Sequence, residues 1–140
     1  MNIFVVDASV AAKWFTEEEY SLESLAFLRN NEKLFAPDIF LLEMDNLICK
    51  WVRRGIVTHP EGDEIREELR GQPIQLFPFR ELLDYAFEIA SRTGCSLYDC
   101  LYLALAVSLK GKMATADRRL RERLDQTPFS KYVAFISEIP

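Results

Sequence analysis

Short segments typical of β-strands alternate along the chain with longer segments of helical periodicity. The strand-like segments are residues 3–6, 34–37, 74–77, 112–115 and 132–136, of which 34–37 also fits an entry loop. The helical segments are residues 8–15, 21–28, 38–54, 60–70, 80–92, 96–109 and 118–124. Four of these helical segments are followed closely by a glycine, which commonly ends a helix: Gly55, Gly71, Gly94 and Gly111.

This alternation favours the α/β fold class, in the form of a three-layer α/β/α sandwich. Parallel strands need crossover connections, and helices serve as those connections while they cover both faces of the sheet. No internal repeat, low-complexity segment or long linker interrupts the sequence. We therefore predict a single domain over residues 1–140 with a central parallel sheet.

The overall composition limits the classes of partner. Hydrophobic residues make up 49% of the chain and charged residues 28%, which is typical of a globular protein. A net charge of −5 argues against binding nucleic acid through overall charge. A local basic rim around an acidic centre is still compatible with that charge.

The cysteines and the apolar stretches indicate a cytoplasmic protein without a membrane span. Cys49, Cys95 and Cys100 are odd in number and form no CxxC motif, so we expect reduced thiols. The sequence starts directly with a strand-like segment rather than a signal peptide. Residues 93–109, the longest nearly uncharged stretch, contain Asp99 and are too short and too polar to cross a membrane.

Several common catalytic chemistries lack the residues they need. His59 is the only histidine, and its predicted place in a turn beside Pro60 makes it a poor catalytic base. Zinc sites of histidine and cysteine lack ligands, and the scattered glycines form neither a P-loop nor a GxGxxG motif. The remaining candidates are carboxylates, which favour hard cations such as Mg²⁺ or Mn²⁺.

Two aspartates, Asp7 and Asp117, each follow a strand-like segment and precede a helical one. Such a residue could cap the following helix, a role that aspartate fills well. It could also line the crevice at the carboxyl ends of parallel strands, where open α/β sheets bind ligands. Two strand-end acids in one parallel sheet can share that crevice.

Asp99 is the only charged residue of the stretch 93–109, inside the motif GCSLYDCLYLALAVSL. A helix that is apolar nearly all round should be buried, and a buried carboxylate must be paired, hydrogen-bonded or bound to metal. A capping box with Ser96 as the N-cap is the structural alternative. Both roles are compatible, because a first-turn acid near a sheet edge can also face a pocket.

Glu43 lies at the border of the apolar stripe predicted for the helix over residues 38–54. Asn46 falls on the same side of that stripe and Asp45 on the other, so Glu43 is the candidate to pair with Asn46. A solvated residue at the edge of the stripe is the alternative for Glu43. If all four acids converge, their repulsion makes a bound cation the simplest explanation.

Four motifs in order, VVDASV, LLEMDN, SLYDCLYLALA and MATADRRL, resemble those of the PIN-domain ribonucleases, in particular the VapC-type toxins of toxin–antitoxin pairs. The resemblance covers essentially the whole chain. It implies a Mg²⁺- or Mn²⁺-dependent endoribonuclease that forms a homodimer and is blocked by a small antitoxin. By position, the family's acidic set falls on Asp7, Glu43, Asp99 and Asp117.

The resemblance and the residues together give each side chain an expected role. Asp7, Asp99 and Asp117 are expected to hold the metal, and Glu43 to ligate a second ion or orient the attacking water. Ser9, Asn46 and Thr115 match polar positions that support the ligands or contact phosphate. Basic residues that could contact RNA are Lys13, Lys50, Arg53, Arg54, Arg118, Arg119, Arg121 and Arg123, although a solvated surface explains them equally well.

Two other functions stay open at this level. A phosphatase of the haloacid dehalogenase type also places an aspartate at the end of a strand, but its usual second aspartate is Ser9 here. A non-catalytic RNA- or partner-binding module would keep the fold without the reaction. The intact acidic set argues against that second alternative.

Overall fold

The computed structural model describes residues 2–140 and contains a five-stranded sheet in which every neighbouring pair of strands is parallel. The strands are β1 (Phe4–Val6), β2 (Leu34–Pro37), β3 (Ile74–Phe77), β4 (Lys112–Thr115) and β5 (Val133–Phe135). Their order across the sheet is β3-β2-β1-β4-β5. The predicted parallel sheet is therefore confirmed.

The α-helices of the described residues are α1 (Ala8–Ala11), α2 (Ser21–Asn30), α3 (Ile39–Arg53), α4 (His59–Arg70), α5 (Leu83–Thr93), α6 (Leu97–Ser108) and α7 (Arg118–Asp125). A 3₁₀ turn, Ala12–Trp14, continues α1, and another, Phe79–Leu82, precedes α5. The continuous helices predicted over residues 8–15 and 80–92 are each divided in this way. The predicted turn around His59 is wrong, because His59 begins α4 after Thr58, which forms a capping box with Glu61.

Both faces of the sheet are covered by helices. All three residues of β1 are buried although neighbouring side chains of a strand point to opposite faces, which requires packing on each face. The Phe4 ring meets the Phe27 ring of α2 at 5.2 Å between centroids. Helix α6 contacts β1, β2 and β4, and its residues 100–106 are buried all round. The three-layer α/β/α sandwich is thus confirmed.

The order of the strands fixes where a ligand can bind. From β1 the chain moves to β2 and β3 on one side of the sheet, and then returns to place β4 and β5 on the other. The direction of winding therefore reverses between β1 and β4. In open α/β sheets the crevice at the carboxyl ends of such a strand pair is the usual binding site. Asp7 follows β1 and Asp117 follows β4 by two residues.

Gly111, which precedes β4, leaves no space for a side chain against Ile3, the residue before β1. A Cβ atom there would lie 2.3 Å from the backbone oxygen of Ile3, which itself accepts a hydrogen bond from Lys112 N. We expect Gly111→Ala to lower the free energy of unfolding by roughly 1–3 kcal/mol, because the two strands must separate. Urea unfolding measures the change.

Gly71 provides the matched control for that substitution. Its φ of −83° suits alanine, and the nearest atom to an added Cβ is at an ordinary 3.5 Å. Gly71→Ala should leave stability equal or slightly higher. Equal stabilities for Gly111→Ala and the wild type would contradict the close β1–β4 approach.

Candidate active site at the carboxyl edge of the sheet

Asp7 is a buried carboxylate, 6% exposed, at the point where β1 ends. Its side chain makes no capping hydrogen bond to α1, so the helix-cap alternative is wrong for this residue. Instead, Asp7 Oδ2 accepts hydrogen bonds from Ser9 Oγ at 2.9 Å and from Thr115 Oγ1 at 2.9 Å. Its backbone N–H donates to Ala114 O at 3.1 Å, which ties the end of β1 to β4.

The hydroxyl groups of Ser9 and Thr115 each donate to Asp7 and also accept a hydrogen bond from the main chain. Ser9 Oγ accepts from the backbone N–H of Ala116 at 3.0 Å, and Thr115 Oγ1 accepts from that of Asp117 at 3.1 Å. Each hydroxyl has a single proton, and both protons point to the same oxygen of Asp7. Within residues 2–140, no group donates to the other oxygen, Asp7 Oδ1.

The charge on Asp7 is disfavoured in the protein as it stands. The pKa of Asp7 is raised from 3.8 to about 7, first by burial and then by the charges of Asp99 and Glu43, while the hydrogen bonds from Thr115 and Ser9 oppose the increase. Desolvation and like charges both penalise the ionised form of an acid. A positive charge beside Asp7 would remove that penalty.

Glu43 is held by a residue that the sequence analysis missed. Tyr102 Oη of α6 donates to Glu43 Oε1 of α3 at 2.6 Å, and Tyr102 is 1% exposed. Among residues 2–140, the hydrogen-bond partner of the Glu43 side chain is Tyr102 and not the exposed Asn46, so the predicted pairing with Asn46 is wrong. The signal was present in the sequence: a tyrosine in an otherwise apolar helix needs a partner for its hydroxyl. Burial, followed by the charge of Asp99, raises the pKa of Glu43 against the effect of the Tyr102 bond.

Asp99 and Asp117 line one cavity of about 210 Å³ together with Cys95, Ser96, Arg119, Leu120 and Arg123. Ser96 Oγ caps α6 by accepting from Asp99 N at 3.1 Å, without the reciprocal bond of a capping box. Asp117 Oδ1 accepts from Leu120 N at 3.1 Å, so its predicted role as the cap of α7 is confirmed. Burial and the charge of Asp117 raise the pKa of Asp99, and Arg123 lowers it.

The four acids are thus electrostatic neighbours rather than a closed cage. The charges of Asp99 and Glu43 raise the pKa of Asp7, and the charge of Asp117 raises the pKa of Asp99. In the part of the chain that the structure describes, no three histidine, cysteine or acidic side chains are grouped closely enough to enclose an ion. Asp99 and Asp117 line one cavity, and Asp7 and Glu43 are coupled to Asp99 through their charges.

The PIN domain family accounts for this architecture. Its sequence profile matches residues 4–124. The chain is also 33% identical over 121 residues to Ribonuclease VapC3 of Pyrobaculum aerophilum, an alignment that spans 85% of this chain and 92% of that protein. The chain belongs to the PIN domain family, as the four motifs predicted.

Two crystal structures share the fold. PAE2754 from Pyrobaculum aerophilum superposes with a TM-score of 0.72 at 21% identity, over 97% of this chain and 85% of that one. VapBC2 from Rickettsia felis, bound to a DNA fragment from their promoter, gives a TM-score of 0.64 at 11% identity, over 95% and 98% of the two chains. Separately, no helix among residues 2–140 has the length and apolar character needed to cross a bilayer.

The raised pKa of Asp7 predicts how stability depends on pH. A folded-state pKa near 7 means that folding favours the protonated form, so this stabilisation is complete below the unfolded pKa of 3.8 and is lost as the pH rises through about 7. In EDTA, Asp7→Asn should therefore gain stability relative to the wild type over that interval, by up to roughly 4 kcal/mol. Urea unfolding at several pH values measures the difference.

Asp45 supplies a control of opposite sign. The bonds and charges of Arg66 and Arg70 hold the pKa of Asp45 below its usual range despite partial burial. Its ionised form is thus favoured by folding, and Asp45→Asn should lose stability at neutral pH but not at acidic pH. Parallel curves for the wild type and Asp7→Asn would contradict the penalty assigned to the Asp7 charge.

Proposed function

We propose that the protein is a Mg²⁺- or Mn²⁺-dependent endoribonuclease that acts in the cytoplasm as the toxin of a toxin–antitoxin pair. The observation that carries the proposal is the buried Asp7 carboxylate, which carries an unfavourable charge where the winding of the sheet reverses. The relative named Ribonuclease VapC3 supports cleavage of RNA. Residues 1–140 act as one nuclease domain in this proposal.

The donor atoms around Asp7 fit a hard divalent cation. They are oxygens of carboxylates and hydroxyls, which Mg²⁺ and Mn²⁺ prefer, and Asp7 Oδ1 accepts no hydrogen bond within residues 2–140. Magnesium commonly keeps several waters and uses few protein carboxylates. Asp7, Asp99 and Asp117 would hold the ion. When bound, it supplies an acidified water and polarises a phosphate oxygen.

The chain's own side chains complete the chemistry. Ser9 and Thr115 fix the orientation of Asp7 through its Oδ2 atom. Glu43, with its raised pKa and its fixed Oε1 atom, orients the attacking water and accepts its proton. Asn46, which is exposed one helical turn from Glu43, remains a candidate for contact with RNA phosphate.

The competing functions gain no support from the site. A dehalogenase-type phosphatase would need an acid at position 9, whereas Ser9 donates its proton to Asp7. Membership of the PIN domain family also favours the nuclease. The non-catalytic alternative has no specific observation in its favour, and the metal test below separates it from the enzyme.

We also propose two protein partners, a cognate antitoxin and a second copy of the chain. The neighbour from Rickettsia felis carries the two-component name VapBC2, which supports a cognate antitoxin that blocks the site. Leu22 on α2 is 80% exposed and Leu42 on α3 is 69% exposed. These side chains support a homodimer, since association is the usual way to cover large apolar groups.

The direct test is cleavage of RNA with controlled metal content. Activity should require Mg²⁺ or Mn²⁺, disappear in EDTA and be poor with Ca²⁺, whose coordination is larger and looser. Water attack at phosphorus should leave a 5′-phosphate and a 3′-hydroxyl, which sequencing of the RNA ends identifies.

His59→Ala is the matched control, because His59 is exposed and, among residues 2–140, its imidazole pairs only with the carboxylate of Asp63. It should retain near-normal activity, whereas Asp7→Asn should abolish cleavage. A 2′,3′-cyclic phosphate product, or full cleavage in EDTA, would overturn the metal assignment and the role given to Asp7.

The Tyr102–Glu43 bond predicts a second kinetic effect. Tyr102→Phe keeps the buried ring but removes the donor to Glu43 Oε1, so the base loses its fixed position. We expect kcat to fall roughly 10- to 100-fold with little change in KM, as for other residues that orient a catalytic group. Steady-state kinetics on a defined RNA measures both constants.

Tyr85→Phe is the control, since Tyr85 of α5 is exposed and forms no hydrogen bond through its hydroxyl within residues 2–140. Its kinetics should match the wild type. If Tyr102→Phe also matched the wild type, Glu43 would not need this partner.

A further inference from the structure

Helix α7 carries four arginines directly after Asp117, and the structure separates them into two pairs. Arg118 is held against the Tyr20 and Phe135 rings, with its guanidinium carbon 5.8 Å and 5.3 Å from their centroids. Arg121 pairs with Asp125 at 2.8 Å and with Glu138 at 3.0 Å. These two side chains hold α7 to its surroundings.

The other pair, Arg119 and Arg123, lines the cavity that contains Asp99 and Asp117. Four positions apart on one helix, the two side chains lie on the same face. One guanidinium nitrogen of Arg123, Nη1, donates to Gly94 O at 2.8 Å, which fixes that side chain at the rim. Neither arginine forms an ion pair within residues 2–140, so the donors of Arg119 and the remaining donors of Arg123 are free.

A cavity lined by two acids and two unpaired arginines suits a negatively charged substrate. The arginines can bind its phosphates while the acids hold the proposed metal ion. The planar guanidinium group matches the geometry of phosphate oxygens and stays charged at every working pH. A volume of about 210 Å³ accommodates a phosphate group with part of its sugar. The scissile phosphate would react beside the adjoining acids, Asp99 and Asp117.

We infer that Arg119 and Arg123 form a phosphate subsite that holds the RNA backbone beside the scissile bond. The inference rests on the proposed nuclease function and adds the residues that position its substrate. It also explains how an acidic chain, with a net charge of −5, attracts RNA to its own acidic centre. The two arginines offset the repulsion between Asp99, Asp117 and the incoming phosphates.

A purely structural role is the competing explanation for this pair. Arg123 lowers the pKa of Asp99, so the arginines could act only to relieve the repulsion among the acids. In that case their removal would change stability but not the salt dependence of RNA binding. The two explanations therefore differ in a quantity that binding experiments measure.

The test compares Arg119→Gln and Arg123→Gln with the full-length wild type, using a labelled single-stranded RNA of mixed sequence. Binding is measured in Ca²⁺, to slow cleavage, over a series of salt concentrations. Each phosphate contact contributes about 0.7 to the slope of log K against log salt for single strands. Each substitution should reduce the slope by about that amount and, in Mg²⁺, raise KM several-fold with kcat nearly unchanged.

Arg29→Gln is the matched charge control. Arg29 is exposed near the end of α2, which leads into the amino end of β2 and thus lies at the opposite edge of the sheet from Asp7. This variant should keep the wild-type slope and KM. A reduction as large as that of Arg119→Gln would show a general charge effect and overturn the subsite.

The remaining outcomes separate this inference from the proposed function. An unchanged slope in Arg119→Gln, with wild-type cleavage of RNA intact, would overturn the subsite alone. A wild-type protein that neither binds nor cleaves RNA would overturn both. Arg119 is exposed and unpaired within residues 2–140, so its replacement should not alter folding, and thermal unfolding checks this.

Discussion

Two hydroxyl protons, from Ser9 and Thr115, converge on one oxygen of the buried Asp7 carboxylate, and the site is built around this contact. It joins the end of β1 to the end of β4, where the direction of winding reverses and a crevice must open. The same contact leaves the second oxygen of Asp7 without a donor in the described chain. The fold thus positions a buried acid whose charge has no compensating positive partner within the described chain.

Helix α6 connects this acid to the others. Its first turn presents Asp99 to the cavity, and one turn later Tyr102 reaches across to Glu43 on α3. The rest of the helix is apolar and packs against β1, β2 and β4, so both polar groups are fixed by the core. The same turns of α6 thus contribute both to the hydrophobic core and to the candidate site.

The sequence predicted the secondary structure around the candidate site better than the contacts between its side chains. Strands 74–77 and 112–115 have the predicted bounds, since short apolar runs between glycine-ended helices leave little alternative. The positions of Asp7 and Asp117 after strands and of Asp99 in a first helical turn were also predictable from local pattern. Tyr102 was missed because its partner lies on another helix, and only tertiary packing brings the two together. The 3₁₀ turn after Ala11 likewise contains a contact with a different helix, in which the Trp14 indole N–H donates to Ser24 O at 2.9 Å.

The most direct measurement of the central claim is an anomalous difference map from crystals of the protein soaked with Mn²⁺. The account predicts a peak bonded to the free oxygen of Asp7 and close to Asp99 and Asp117, and no such peak in Asp7→Asn. A strong peak at a different place on the molecule, with none beside Asp7, would contradict the account. The buried carboxylate would then need another explanation.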